Sequence, residues 1–163
     1  ICYALAFDLA GDETVTLKSH AVAVSFLFAI ETAMRSGEIC AMMPDWIRGN
    51  VAHIPAAAAK NQTKRDVPLS KRAVQLINLL PTPPEGGTSF GISASSRDAL
   101  FRKATSRAGI TGLTFHDSRH LAITLLSKKL DILALARMVG HRDLRQLQLY
   151  YNESAKDIAG RLD

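Results

Sequence analysis

Four short stretches of this 163-residue chain carry side chains with chemistry to offer. The first, Ala33-Met34-Arg35-Ser36-Gly37-Glu38-Ile39, sets an arginine beside a glycine with a carboxylate three residues on. The second, Lys60 to Leu69, holds Lys60, Lys64 and Arg65. The third is His116-Asp117-Ser118-Arg119-His120. The fourth is Gly140-His141, with Tyr150 nine residues later. Each has an ordinary explanation when taken alone. An arginine beside a glycine is commonly a solvated helix end, and a lysine-rich loop a soluble hairpin tip. A Gly-His pair after a helix is commonly a C-cap, with the histidine favourable near the helix dipole. A tyrosine in an amphipathic helix is commonly core. His116 and His120, four apart on a helix, have the spacing of a zinc pair. The metalloprotease pattern needs Glu directly after the first His, where this chain has Asp117, and no third ligand follows at the expected spacing. Metal binding is therefore not expected.

The elements that must hold these stretches can be read from periodicity and caps. Ile1 to Leu9 reads as a helix. Ala21 to Met34, with Ser19 as N-cap, is apolar almost all round, as a central buried helix would be. Gly37 interrupts it, and Glu38 to Met42 reads as a short further turn ended by Pro44. Trp46 to Ile54 reads as a hairpin turning at Gly49-Asn50, with Arg65 to Leu69 as a third strand and Ala56 to Lys64 as an exposed loop. Ser70 caps a helix through Leu80, and Pro81 to Gly87 is a loop. A helix starting at Ser95 or Ser96 stops at Gly109. His116 to Lys128 is amphipathic, with Leu121, Ile123, Leu125 and Leu126 available for the core. Asp131 caps Ile132 to Val139, and Gly140 ends it. Asp143 to Tyr150 and Ser154 to Leu162 read as two last helices. The fold class expected is α+β, mainly α, as one domain over residues 1–163 with a small antiparallel sheet of a hairpin plus a third strand.

Composition fits that picture. Hydrophobic residues make up 47% and charged residues 21%, as in an ordinary globular domain. Lys and Arg outnumber Asp and Glu by 20 to 15, a net charge of +5 compatible with a polyanionic partner or with a merely basic surface. Two cysteines, Cys2 and Cys40, without metal-type spacing suit a reducing cytosol. The longest apolar run, Ala21 to Ile30, is too short to span a bilayer. The opening at Ile1 without methionine suggests a piece of a longer protein.

Together and in order, the four stretches resemble the signature of the tyrosine recombinases, the phage integrase class, across nearly the whole chain. Thr32-Ala33-Met34-Arg35-Ser36-Gly37-Glu38-Ile39 resembles the family's first arginine segment, with Ala33 where the family often has Gly. Lys60 precedes Arg65-Asp66-Val67-Pro68-Leu69 as the family's hairpin lysine precedes its Arg-x-Val-Pro-Leu strand. His116-Asp117-Ser118-Arg119 is similar to the His-x-x-Arg box, and Tyr150 stands at the family spacing from Gly140-His141. The adjacent Tyr151 leaves the nucleophile slightly open.

The resemblance implies a metal-free phosphoryl transfer that needs no cofactor. Two guanidiniums, Arg35 and Arg119, would clamp the non-bridging oxygens of a DNA phosphate, and His141 would add a third donor. Tyr150 would attack the phosphorus to give a 3′-phosphotyrosine and a free 5′-hydroxyl. Lys60 would protonate the leaving oxygen. His116 would accept the tyrosine proton or position the phosphate. Glu38 and Asp117 would orient Arg or His side chains, or simply carry surface charge. The partner implied is double-stranded DNA, held by a homotetramer that assembles on it from a monomer when free, with no membrane. An N-terminal DNA-clamping domain would lie outside the chain. The setting implied is the cytoplasm of a bacterium, at the nucleoid, with the gene bacterial or phage-borne. The rival readings are a type IB topoisomerase, a DNA-binding module without catalysis, and a metallohydrolase using His116 and His120.

Overall fold

The computed structural model describes residues 1–8, 14–141, 143–152, 154–160 and 162. Its centre is helix α1, Lys18–Thr32, which is buried from His20 through Phe26 and again at Phe28, Ala29 and Thr32. A helix without a polar face must be surrounded, and α1 packs against α3 (Lys71–Asn78), α4 (Ala94–Arg107) and α5 (Asp117–Ser127). Leu17 rather than Ser19 holds the N-cap position, so Ser19 lies inside the first turn. The helix stops at Ala33, whose φ of 52° is left-handed. That explains why glycine is expected here, since a Cβ in this conformation costs about 1–2 kcal/mol. Arg35 then runs extended into the short helix α2, Ser36–Cys40.

The sheet is antiparallel in the order β1-β2-β3, with β1 Ile47–Arg48, β2 Val51–Ile54 and β3 Arg65–Pro68. Ala52 pairs with Val67 and Ile54 with Arg65. Ala52, Ile54 and Val67 are fully buried, while His53 and Asp66 pair with each other at 2.8 Å on the outer face. The hairpin is one residue shorter than its sequence suggests, because Trp46 belongs to the 3-10 turn Pro44–Trp46.

Serine and aspartate set the later helix starts. Ser70 caps α3, Ser93 caps α4, and Asp131 accepts the Leu133 and Ala134 N–H groups at the start of α6, Ile132–Val139. Gly140 closes α6 at φ +70°. The last helices are shorter than the sequence suggests: α7 is Arg145–Gln148 and α8 Ala155–Ala159. Ala155, Ile158 and Leu162 are exposed, and Arg161 lies outside the described residues. The N-terminal helix also shrinks, to a 3-10 turn at Tyr3–Leu5 closed by left-handed Ala6, and Leu9 lies outside the described residues. On α5, Ala122 and Ile123 fill the inner face with Leu126 beside them, which leaves Leu121 and Leu125 on the outside, 46% and 43% exposed.

Two apolar clusters result. The larger joins α1, the sheet, α3 and α4 around Phe26, Phe101 and Phe115, whose rings lie 5.0–5.7 Å apart. The smaller holds Ala33, Ala122, Ile123, Leu135, Ala136, Val139 and Leu147, with Tyr150 and Tyr151 packed on its edge. The candidate site sits along the seam between them, where α1, α5 and α6 end or begin.

Candidate active site

Glu38 is the electrostatic centre of that seam. It is 1% exposed and receives both terminal nitrogens of Arg65 at 2.7 Å, one on each carboxylate oxygen. The Arg35 backbone N–H donates to it at 2.9 Å and Arg35 Nη1 at 3.2 Å. Burial pushes the carboxyl upward, but the hydrogen bonds and charge of Arg65, with help from Arg35, outweigh it and hold the pKa below the ordinary carboxylate value. Glu38 is therefore no surface charge. Arg65 also donates through Nε to the Met138 carbonyl at 3.1 Å, tying β3 to the end of α6.

Arg119 anchors the other side. Its guanidinium donates to the carbonyls of Ala33 and Val139, the latter at 2.8 Å. One side chain thus joins the ends of α1 and α6. Burial first, then the neighbouring Arg35 charge, lowers its pKa to about 10. A guanidinium has five donors, so these contacts leave donors over for an anion. Arg35 is half-buried and reaches Gly140 O at 3.5 Å. His141 follows directly, with its Nδ1 buried and without a hydrogen-bond partner among the described residues. Burial, then Arg119, Arg35 and Arg65, brings its pKa down to about 4, so it is neutral at pH 7. Arg35, Lys64, Arg65, Arg137 and His141 all line one cleft. Arg35, Arg65 and Arg119 thus gather around a neutral imidazole with Glu38 paired to two of them, an arrangement of donors suited to an anion.

The remaining expected residues lie around this centre. His116, at the start of α5, is exposed, and burial of its ring together with His120 and Arg119 lowers its pKa. Asp117 turns back to cap its own turn, accepting the Thr114 N–H and hydroxyl at 2.7 Å each. Lys60 lies in the loop between β2 and β3 with its side chain exposed. Its neighbours Ala59 and Asn61 line the cleft, and Asn61 donates to Gly140 O at 3.4 Å. Tyr150 is half-buried, and its hydroxyl lies 3.3 Å from His120 Nδ1. Tyr151 points elsewhere, donating to the Leu130 carbonyl at 2.7 Å. Among the described residues no three His, Cys, Asp or Glu side chains gather as a metal site needs, and the His116 and His120 rings stand edge to face at 4.9 Å.

Two residues went unrecognised in the sequence. Arg65 reads in sequence only as one of the basic residues of the Lys60 to Leu69 stretch, yet its guanidinium is committed to Glu38. The signal was present: Arg65, Val67 and Leu69 alternate on one face of a strand, so a buried arginine was implied. His120 reads only as a possible metal ligand, and its pairing with Tyr150 depends on tertiary contact.

A mainly helical domain with a three-stranded antiparallel sheet and a cationic cleft at the helix ends is the fold of the tyrosine recombinase catalytic domain. It superposes on the Tn1549 transposon integrase solved in complex with circular intermediate DNA, with a TM-score of 0.72 at 18% identity over 99% of this chain and 64% of that one. Residues 90–157 match the family model described as the phage integrase family. A Haemophilus influenzae protein described as an integrase/recombinase is 40% identical over 159 residues, and the shufflon-specific DNA recombinase of Escherichia coli 39% over 144. These alignments cover 93% and 86% of this chain, which spans 50% and 37% of the two relatives. Over residues 90–157 the chain carries a phage integrase family domain, and as a whole it shares the fold of the tyrosine recombinases. No helix among the described residues is long and apolar enough to cross a membrane.

Proposed function

We propose that the chain is the strand-cleaving and rejoining domain of a site-specific DNA recombinase. The observation that carries this reading is the gathering of Arg35, Arg119 and His141 at the end of α6, with Tyr150 packed on the apolar cluster that holds Val139. Arg35 and Arg119 hold the non-bridging oxygens of a DNA phosphate, and His141 donates a third hydrogen bond. The Tyr150 oxygen bonds to phosphorus as the bond to the 5′-oxygen breaks. Lys60, carried by its loop, protonates that leaving oxygen. The phosphotyrosine keeps the phosphodiester energy, so a second 5′-hydroxyl can reverse the step. Glu38 sets the position of Arg35. The relatives' names favour recombination over topoisomerase-type relaxation, which shares this chemistry.

The domain acts on double-stranded DNA in the cytoplasm, is a monomer when free and forms a tetramer on its site. A further DNA-clamping segment of the whole protein, outside residues 1–163, completes the grip. The test is trapping on a nicked suicide oligonucleotide in EDTA. The expected result is an SDS-resistant adduct whose phosphotyrosine maps to Tyr150. Tyr150→Phe removes the adduct and keeps DNA binding, because only a hydroxyl is lost. An adduct at Tyr151, or cleavage by Tyr150→Phe, overturns the assignment.

A further inference from the structure

We propose that His120 is the base for the Tyr150 hydroxyl, taking its proton through Nδ1 as the tyrosine attacks phosphorus. This inference rests on the function proposed above and gives the proton a destination. The resemblance left that task to His116 among other duties. In the structure the hydroxyl lies 3.3 Å from His120 Nδ1.

The arrangement follows from α5. Residues 116 and 120 stand one turn apart on one face, while Arg119 lies about 100° away and points inward to the carbonyls of Ala33 and Val139. One helix therefore presents a phosphate clamp on one side and an imidazole to the tyrosine on the other. His120 is exposed, so its ring is open to solvent. His141 is occupied differently: its Nδ1 is buried and it is ringed by three arginines. The ionisable groups facing His120 are His116 and Asp117 from its own helix and Tyr150 from the C-terminal segment. The edge-to-face contact with His116 fixes the His120 ring plane.

The step balances. The proton leaves the Tyr150 oxygen for His120 Nδ1 and makes an imidazolium, the oxygen–phosphorus bond forms, and the 5′-oxygen departs with the proton from Lys60. In rejoining, the imidazolium returns its proton to the tyrosinate. A proton acceptor of this kind contributes about 10²–10⁴-fold to rate.

Two measurements test this. The first needs no DNA: nitrogen NMR of histidine-labelled chain. His120 Nδ1 is expected to resonate as an unprotonated, hydrogen-bonded imidazole nitrogen near neutral pH and to shift in Tyr150→Phe. A protonated Nδ1 in the neutral ring, or no response to Tyr150→Phe, overturns the inference whatever the DNA assay shows. The second is the rate of adduct formation against pH in the full-length protein. His120→Asn keeps a polar atom near the Nδ1 position but cannot take the proton. It is expected to be about 100-fold slower or more at neutral pH, with DNA affinity unchanged and the deficit shrinking at alkaline pH, where hydroxide can take the proton instead. An unchanged rate and profile in His120→Asn overturns the inference while leaving the recombinase reading intact. Failure of the unmodified protein to form any adduct overturns the recombinase reading instead.

Discussion

The two sides of the cleft are built on different principles. On the arginine side, Glu38, Arg119 and the side chain of Arg65 are buried and multiply bonded, and the carbonyls of Ala33, Met138 and Val139 are drawn into the same web. On the side of the proposed acid and nucleophile, Lys60 is exposed on a loop, and Tyr150 follows a four-residue helix with its hydroxyl on a single imidazole. The difference teaches where rigidity is useful. Groups that stabilise charge act best when fixed beforehand, because no reorganisation is then needed during reaction. Groups that must approach, transfer a proton and withdraw sit on segments with few anchors.

Removing Glu38 should break this contrast most severely. Glu38→Ala strands Arg65 in the interior, and an uncompensated buried charge costs about 3–5 kcal/mol. A urea titration should show a stability loss of that size. A loss under about 1 kcal/mol would mean that the web does not hold the arginine side.

Acid should attack the same side next. The folded-state pKa of His141 is about 4, against an ordinary histidine value of 6.5. The folded state binds the proton less well, so stability is full above about pH 6.5 and falls as pH drops toward 4. His116 and Glu38, both lowered, add to the loss in the same direction. Thermal melts across that range should fall steadily, with a shallower slope in His141→Asn. An equal slope in that variant would remove His141 from the account.

Tyr151→Phe should cost about 1 kcal/mol, the worth of one hydrogen bond, by loss of the bond to Leu130 O, and should keep cleavage. Lys60→Ala should leave stability within about 0.5 kcal/mol, as exposed substitutions usually do, while adduct formation drops steeply. If Lys60→Ala destabilised the fold as much as Glu38→Ala, the two sides would not differ.

Legibility in the sequence followed the same division. The central helix was plain because apolar residues surround it, and the caps at Ser70, Asp131 and Gly140 announced their helix ends. Arg35, Arg119 and His141 were legible as types in order. What could not be read was which charges face one another. The Glu38–Arg65 pair spans 27 residues and the His120–Tyr150 pair 30, and only the tertiary fold closes such distances. Short elements failed for a related reason. A chain end such as Ile1 to Leu9 has helical composition, but a helix that brief needs packing to form.

Tyr151 carries a last consequence. It is the residue next to Tyr150, and its hydroxyl is fastened to the Leu130 carbonyl. Neighbouring Cα atoms are about 3.8 Å apart, so a tether on the Tyr151 side chain restrains the backbone beside Tyr150 while leaving the Tyr150 side chain its own rotations. Turning of that side chain alone would re-aim the Tyr150 hydroxyl and leave the helices on either side where they are. Aim is adjusted at the tip, and the scaffold behind it stays still.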